Sequence, residues 1–213
     1  MRTVPRGLYA VTDPTLLPED RLIPAVEAAL QGGTVLVQYR DKAAGDVDRR
    51  RRAESLLSLC RNYHVPLLVN DDLDLAQRID ADGVHLGQSD GRVDEARHRL
   101  GDQALVGRTC HDRLDLAREA ADQGADYLAF GRFFPSVTKP EAPAATPDIL
   151  TEAQTLNRPT SAIGGITLEN AALLIAHGAD LLAVIGGLFA TDDVAARARA
   201  FDQLFHASPD RSS

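Results

Sequence analysis

Asn70-Asp71-Asp72 and Gly87-Gln88-Ser89-Asp90 each follow directly on a short apolar run, residues 65–69 and 83–86. Residues 73–82 between them are about one helix long. Two strands joined by a helix run parallel, and their C-terminal ends lie side by side on one rim. Asp71 and Asp90 then point into one cleft from neighbouring loops. Converging carboxylates repel unless a positive charge sits between them. One or two carboxylates, completed by water and phosphate oxygens, are the ligand set Mg2+ prefers. The other use of an Asp at this point in a chain is as a turn residue or the N-cap of the helix that follows. On these residues alone both readings stand.

Gln38-Tyr39-Arg40-Asp41-Lys42 closes the second apolar run. Side chains alternate along a strand end, so Gln38, Arg40 and Lys42 share one direction. A planar fork of donors beside a point charge suits a diphosphate. The alternative use of Arg40 is an ion pair with a carboxylate at the same rim. Further on, Gly107-Arg108-Thr109-Cys110-His111 follows the fifth run. Gly131 opens a segment that reaches Ser136, Val137, Thr138 and Lys139, where two hydroxyls and an ammonium can grip phosphate. Gly164-Gly165, and Gly186-Gly187 after Ile185, close the last two runs. Backbone N–H groups and helix N-termini at such turns bind phosphate.

This inventory describes two anion sites with a metal between them. One is basic and metal-bridged, as for a diphosphate; the other is glycine-lined, as for a monophosphate. No catalytic triad is present, and no Lys stands mid-strand as a Schiff-base candidate. Expulsion of diphosphate fits better than hydrolysis or aldol chemistry, because cations stabilise the charge building on the leaving group. His85 sits inside an apolar run and reads as a packed, hydrogen-bonded residue. His111 reads either as an acid–base group or as the start of the next helix. Nothing marks Cys110 as a nucleophile.

The elements that must position these residues alternate along the chain. Strands are expected at 7–12, 34–39, 65–69, 83–86, from 104, and at 126–130, 160–163 and 181–185. Helical patterns run over 20–31, 46–63, 73–82, 92–100, 112–123, 147–156, 167–177 and 192–206. Eight such units without a linker predict an α/β fold, a single-domain (β/α)8 TIM barrel over 1–206, with 207–213 as a frayed tail. The strand count weighs against an open doubly wound sheet. In such a barrel the chemistry belongs to the C-terminal strand ends, where all the residues above fall.

A chain of 213 residues with 44% hydrophobic content suits one sizeable core. The net charge of −8 argues against a nucleic-acid surface and leaves small-molecule substrates as the partners. Arg49, Arg50, Arg51 and Arg52 lie opposite an apolar face of Ala53, Leu56, Leu57 and Cys60, as a solvated helix face does. Two cysteines, Cys60 and Cys110, give neither a disulfide framework nor a zinc site. With no signal-peptide pattern and no stretch of about 18 apolar residues, a soluble cytoplasmic protein without membrane partners is expected. A homo-oligomer is compatible with the helical outer faces, and the sequence gives no oligomeric state.

Seven segments in order resemble the thiamine phosphate synthase (thiamine-phosphate pyrophosphorylase) family over nearly the whole chain. They are Leu8-Tyr9-Ala10-Val11-Thr12-Asp13, Val37-Gln38-Tyr39-Arg40-Asp41-Lys42, Val69-Asn70-Asp71-Asp72, the run 81–90 ending in Gly87-Gln88-Ser89-Asp90, the run 125–131, Pro135-Ser136-Val137-Thr138-Lys139 and Ala162-Ile163-Gly164-Gly165-Ile166-Thr167. The resemblance implies a transferase that joins an aminopyrimidine methyl diphosphate to a (carboxy)thiazole ethyl phosphate. The products are thiamine monophosphate and diphosphate, by a dissociative displacement. It implies that Gln38, Tyr39, Arg40, Asp41, Lys42, Asn70, Thr109 and Lys139 hold the pyrimidine diphosphate, with Arg40, Lys42 and Lys139 catalytic. It implies Mg2+ on Asp71 and Asp90, and a thiazole phosphate pocket of Ser136, Val137, Thr138, Gly165, Ile185 and Gly186. Three residues depart from the family's habit: Thr109 and Gly186 stand where Ser is common, and Arg108 is bulkier than usual. The rivals are a thiazole tautomerase, which would use His111 and no metal, and a non-catalytic barrel that binds thiamine precursors.

Overall fold

Short apolar runs that are buried on both faces become the strands of a parallel sheet. The computed structural model describes residues 3–135 and 144–207. Its strands are β1 (Gly7–Val11), β2 (Leu36–Tyr39), β3 (Leu67–Asn70), β4 (Gly83–Leu86), β5 (Leu105–His111), β6 (Tyr127–Phe130), β7 (Thr160–Ile163) and β8 (Leu181–Val184). Each pairs in parallel with the next, and β8 closes onto β1 through Gly7↔Leu181 to Ala10↔Val184. Outside lie α1 (Glu19–Gln31), α2 (Asp46–Asn62), α3 (Leu73–Arg78), α4 (Val93–Leu100), α5 (Leu114–Asp122), α6 (Asp148–Ala153), α7 (Leu168–Ala176), α8 (Gly186–Phe189) and α9 (Val194–His206). The expected (β/α)8 barrel is the observed fold. Residues 208–213 of the expected tail lie outside the described residues. Among the described residues no helix is long and apolar enough to cross a membrane.

Strand alternation divides the core in two. Tyr9, Val11, Leu36, Leu68, Leu105, Tyr127, Ala129, Leu181 and Ala183 fill the barrel interior. Their neighbours Leu8, Ala10, Val37, Tyr39, Val69, Val84, Leu86 and Leu128 face the helices. The helical faces answer them: Ala53, Leu56, Leu57 and Cys60 of α2 are buried, as their spacing predicts. Each fully buried Leu or Phe contributes roughly 1.5–3 kcal/mol. Following the interior positions upward along β2, β3, β4 and β5 leads from apolar side chains to Gln38, Asn70, His85 and Thr109. The barrel interior therefore turns polar at one end.

Three differences from the sequence reading bear on the site. β5 continues through Thr109 to His111, where a loop was expected, because Arg108 and Thr109 pair with Leu128 and Ala129 before a bulge. α3 stops at Arg78 rather than running to 82, since Asp80 takes a left-handed conformation at φ +55°. Gly186-Gly187, expected as a glycine turn after the last strand, opens the one-turn helix α8.

Candidate active site

The two acids of the rim have different jobs from the acid beside them. Asp72 is the N-cap of α3, its side chain accepting from Leu75 N–H at 2.8 Å. Asp71, one residue earlier, adopts φ +61°, a conformation that costs a non-glycine residue energy and is kept where something depends on it. α4 begins after Arg92 without a side-chain cap, so Asp90 is not capping it. The capping alternative is thereby taken by Asp72 alone. Lys42 Nζ lies 3.0 Å from Asp71 Oδ2, and Gly87 N–H donates to Asp71 Oδ1 at 3.2 Å. A methyl group on Gly87 would collide with Asp90 Oδ2 and touch Asp71 Oδ1. Both carboxylates therefore close over one glycine.

Their electrostatics follow from that closeness. Burial pushes the Asp71 carboxyl up, but the Lys42 ammonium and hydrogen bonds from Gly87 and Asn70 outweigh it and hold Asp71 below the usual range. Burial and the adjacent Asp71 carboxylate push Asp90 above it. Such a pair suits a hard divalent cation that keeps water or phosphate ligands. Among the described residues no group of three or more His, Cys, Asp or Glu is placed to cage a metal. Two carboxylates open to solvent and to an incoming anion fit Mg2+ and do not fit a closed zinc site.

Arg40 and Lys42 both follow β2, but Arg40 turns to the β1 exit and Lys42 to the β3 exit. Arg40 Nη1 lies 2.9 Å from Asp13 Oδ2, so the rim ion pair that competes with a diphosphate role is present. Thr12 fixes the backbone there: its Oγ1 accepts from Arg40 N–H at 2.8 Å and donates to Arg40 O at 3.1 Å. The guanidinium is thus held at the mouth by one carboxylate. Gln38 lies deeper, where its Nε2 donates to Tyr9 Oη at 2.6 Å.

Tyr39 and Asp41, expected with the pyrimidine diphosphate set, turn their side chains toward α2 while lining the groove that holds Lys42 and Asp71. Alternation turns both toward the helices. Tyr39 is buried among helix-facing residues and its hydroxyl donates to Asp41 Oδ2 at 3.3 Å. Asp41 Oδ1 accepts from Ala43 and Ala44 N–H, and Oδ2 from Arg52 at 2.9 Å. Burial pushes this carboxyl up, yet the two N–H groups and Arg52 bring it below the usual range. With its acceptors engaged, Asp41 shapes the turn that presents Lys42. Both residues form the outer wall of a groove of about 520 Å3 that also meets Lys42, Arg49, Asn70, Asp71 and Asp90.

The polar end of the interior is a continuous set of hydrogen bonds. Tyr9 Oη and Tyr127 Oη are 2.9 Å apart, Tyr127 Oη is 2.8 Å from His85 Nδ1, and His85 Nε2 is 2.9 Å from Thr109 Oγ1. His85 is packed and bonded, as expected. β5 also braces the loop that carries Asp90: Arg108 Nη1 donates to Gly91 O at 2.7 Å, Arg108 Nη2 to Gln88 O at 3.4 Å, and Gln88 Nε2 to Thr109 O.

On the opposite side of the mouth, Gly164 and Gly165 have φ of +103° and +64°. A side chain at Gly165 would meet the Pro135 carbonyl and Phe134. Ile185 is the N-cap of α8, and Gly186 is exposed at its first turn, whose N–H groups have no acceptor within the helix. Ser136, Val137, Thr138 and Lys139 lie outside the described residues. His111 ends β5 at φ +55°, with its carbonyl accepting from Gly131 N–H at 3.0 Å. Burial pushes the Cys110 thiol up to about 12, which leaves it unreactive. The sequence reading gave no role to Thr12, Asp13, Tyr9, Tyr127 or the bracing by Arg108. Asp13 follows a strand on the same rim, and Tyr9 and Tyr127 fall at interior positions, so strand parity was the signal available.

The chain is similar to known proteins over most of its length. Residues 8–188 match the family model described as thiamine monophosphate synthase. A thiamine-phosphate synthase of Marinobacter nauticus is 57% identical over 201 residues, covering 93% of this chain and 90% of that protein. The solved thiamine phosphate pyrophosphorylase of Pyrococcus furiosus superposes with a TM-score of 0.85 at 31% identity, covering 94% of this chain and 96% of that one. KGPDC of Streptococcus mutans, at 15% identity and a TM-score of 0.67 over 96% and 99% of the two chains, shares the fold alone.

Proposed function

The chain belongs to the thiamine monophosphate synthase family, and we propose from that premise how its barrel mouth carries out the transfer. It is a transferase that joins 4-amino-2-methyl-5-(diphosphooxymethyl)pyrimidine to a (carboxy)thiazole ethyl phosphate. Thiamine monophosphate and diphosphate are the products. The observation that carries the reading is the convergence of Lys42, Asp71 and Asp90 over Gly87.

Asp71 and Asp90 would hold Mg2+, which when bound supplies positive charge to the diphosphate oxygens. Arg40 grips the same anion as a planar fork and Lys42 as a point charge, with Lys139 as a third cation. As the C–O bond breaks, both electrons leave with diphosphate, and these cations stabilise that charge. The electron-rich aminopyrimidine stabilises the methylene cation left behind, and the thiazole nitrogen then bonds to it. Gln38, Asn70 and Thr109 hold the pyrimidine diphosphate. Ser136, Val137, Thr138, Gly165, Ile185 and Gly186 hold the thiazole phosphate. Small, highly charged substrates fit a cytoplasmic enzyme.

The test is incubation of the protein with both substrates, with and without Mg2+, assaying diphosphate and thiamine monophosphate. The expected result is equimolar release of the two products, lost in chelator. Absence of coupling would sink the reaction, and undiminished coupling in chelator would sink the metal.

A further inference from the structure

A hydrogen-bonded chain crosses the barrel interior from β2 to β5, and its protons can be ordered from one end. Gln38 Nε2 donates to Tyr9 Oη at 2.6 Å. Tyr9 Oη and Tyr127 Oη lie 2.9 Å apart, where either hydroxyl can donate; in the ordering that starts from Gln38, Tyr9 gives its one proton to Tyr127. Tyr127 then has its own proton left for His85 Nδ1 at 2.8 Å. A neutral imidazole that accepts at Nδ1 carries its proton on Nε2, and that N–H donates to Thr109 Oγ1 at 2.9 Å. Two groups remain in this ordering: Gln38 Oε1, an acceptor, and the Thr109 O–H, a donor.

The surrounding core is built for this chain. Burial keeps both phenols protonated, so each is a neutral donor. The Tyr127 ring packs edge-on to Tyr9, with centroids 5.9 Å apart, and stacks on His85 at 5.6 Å. It occupies the space in front of Gly107, where any side chain would collide with its Cζ and Oη. Gly107 is therefore glycine for room.

We propose that Tyr127 is a positioning residue that fixes the polarity of this chain. It sets His85 as the Nε2–H tautomer, so that Gln38 and Thr109 offer one acceptor and one donor to a flat heteroaromatic ring bearing an amine and a ring nitrogen. This rests on the reading above that an aminopyrimidine occupies the mouth, and it adds the residue that holds the recognising groups in register without touching the substrate. An unpolarised chain would present the wrong hydrogen-bonding face for part of the time, which lowers productive binding of that ring and leaves the other substrate unaffected.

The test is Tyr127→Phe, which keeps the packed ring and removes one hydroxyl. The measurements are the steady-state constants for both substrates and the 15N spectrum of protein labelled at histidine. The His85 signals are identified by their loss in His85→Asn. Wild type is expected to show His85 protonated at Nε2. In Tyr127→Phe the single tautomer gives way to a mixture, and kcat/KM for the pyrimidine falls about tenfold, the scale of a lost hydrogen bond between buried groups, while the thiazole KM stays put. Tyr9→Phe guards against a folding defect in the first variant. It removes the proton that Tyr127 accepts and so uncouples Tyr127 from Gln38, so it should lower pyrimidine kcat/KM and admit the second His85 tautomer as well. A His85 protonated at Nδ1, an unchanged tautomer in Tyr127→Phe, or equal losses for both substrates would overturn the proposal. If wild type joins no substrates, the functional reading fails, and the nitrogen spectra alone still decide the polarity.

Discussion

Lys42 reaches from the β2 exit to the β3 exit, where its ammonium lies 3.0 Å from Asp71 Oδ2. The lysine is more than half exposed, so this contact is worth at most about 1 kcal/mol. It is easily exchanged. Lys42 is thereby stationed beside the carboxylates without being committed to them, and a diphosphate arriving at the same place offers it a stronger partner.

Asp71→Asn and Asp90→Ala each remove one carboxylate from the pair over Gly87, asparagine being used at position 71 because its φ of +61° strains alanine. Each should lower Mg2+-dependent coupling by at least about a hundredfold, equivalent to roughly 2.7 kcal/mol, without a loss of folded structure. Mg2+ affinity measured by calorimetry on the unreacting protein should fall in parallel. Retained metal affinity in both variants would remove these residues from the metal site.

Much of this site was legible because strand parity and rim position follow from a two-residue repeat. Asp71, Asp90 and Lys42 come together at neighbouring strand exits, while Arg40 pairs with Asp13 at the β1 exit. Parity also assigns residues to the outside. Tyr39 and Asp41 sit between Gln38 and Lys42 in sequence, and alternation turns them to the helices. Thr109 was read as loop because Gly107-Arg108-Thr109 lacks an apolar run. Its strand identity comes from pairing with Ala129 on β6, a long-range contact that no local pattern carries. Capping by Asp72 rather than Asp71 depends on one backbone angle, the φ of +61° at Asp71.

Arg108 holds the loop before α4 by two carbonyls, Gly91 O and Gln88 O, on either side of Asp90. Arg108→Ala frees that loop and should raise the Mg2+ concentration for half-maximal activity several-fold, on the scale of one or two charge-assisted hydrogen bonds at about 0.5–1 kcal/mol each near solvent. The thiazole KM should not move. Arg108→Lys should restore little, since an ammonium lacks the planar fork that spans both carbonyls. A Mg2+ titration of the three proteins decides it.

Asp41 ties the β2 exit to α2 through Arg52, and its carboxyl lies below the usual range. A depressed folded value means that its stabilisation is present above the unfolded carboxylate range, near pH 4, and drains away as pH falls through the lower folded value. Asp41→Asn should therefore cost roughly 2 kcal/mol at pH 7, between the values for exposed and buried ion pairs. The difference from wild type should narrow below about pH 4. Urea unfolding across pH 3–7 measures this, and a gap that widens on acidification would reverse the assignment.

His111 separates a diphosphate-expelling enzyme from a tautomerase on the same barrel. A tautomerase needs an acid–base imidazole and has no use for Lys42, Asp71 and Asp90 together. His111 ends β5 in a left-handed conformation at φ +55°, so alanine there would add about 1–2 kcal/mol of backbone strain and confuse loss of chemistry with loss of structure. Asn tolerates that conformation and removes the imidazole alone. His111→Asn should keep coupling within about threefold of wild type, less than the roughly hundredfold that loss of an acid–base group costs. Measured alongside Asp71→Asn, it gives opposite outcomes for the two chemistries. If His111→Asn is inactive while Asp71→Asn still turns over substrate, the reactive centre lies at the end of β5 and not over Gly87.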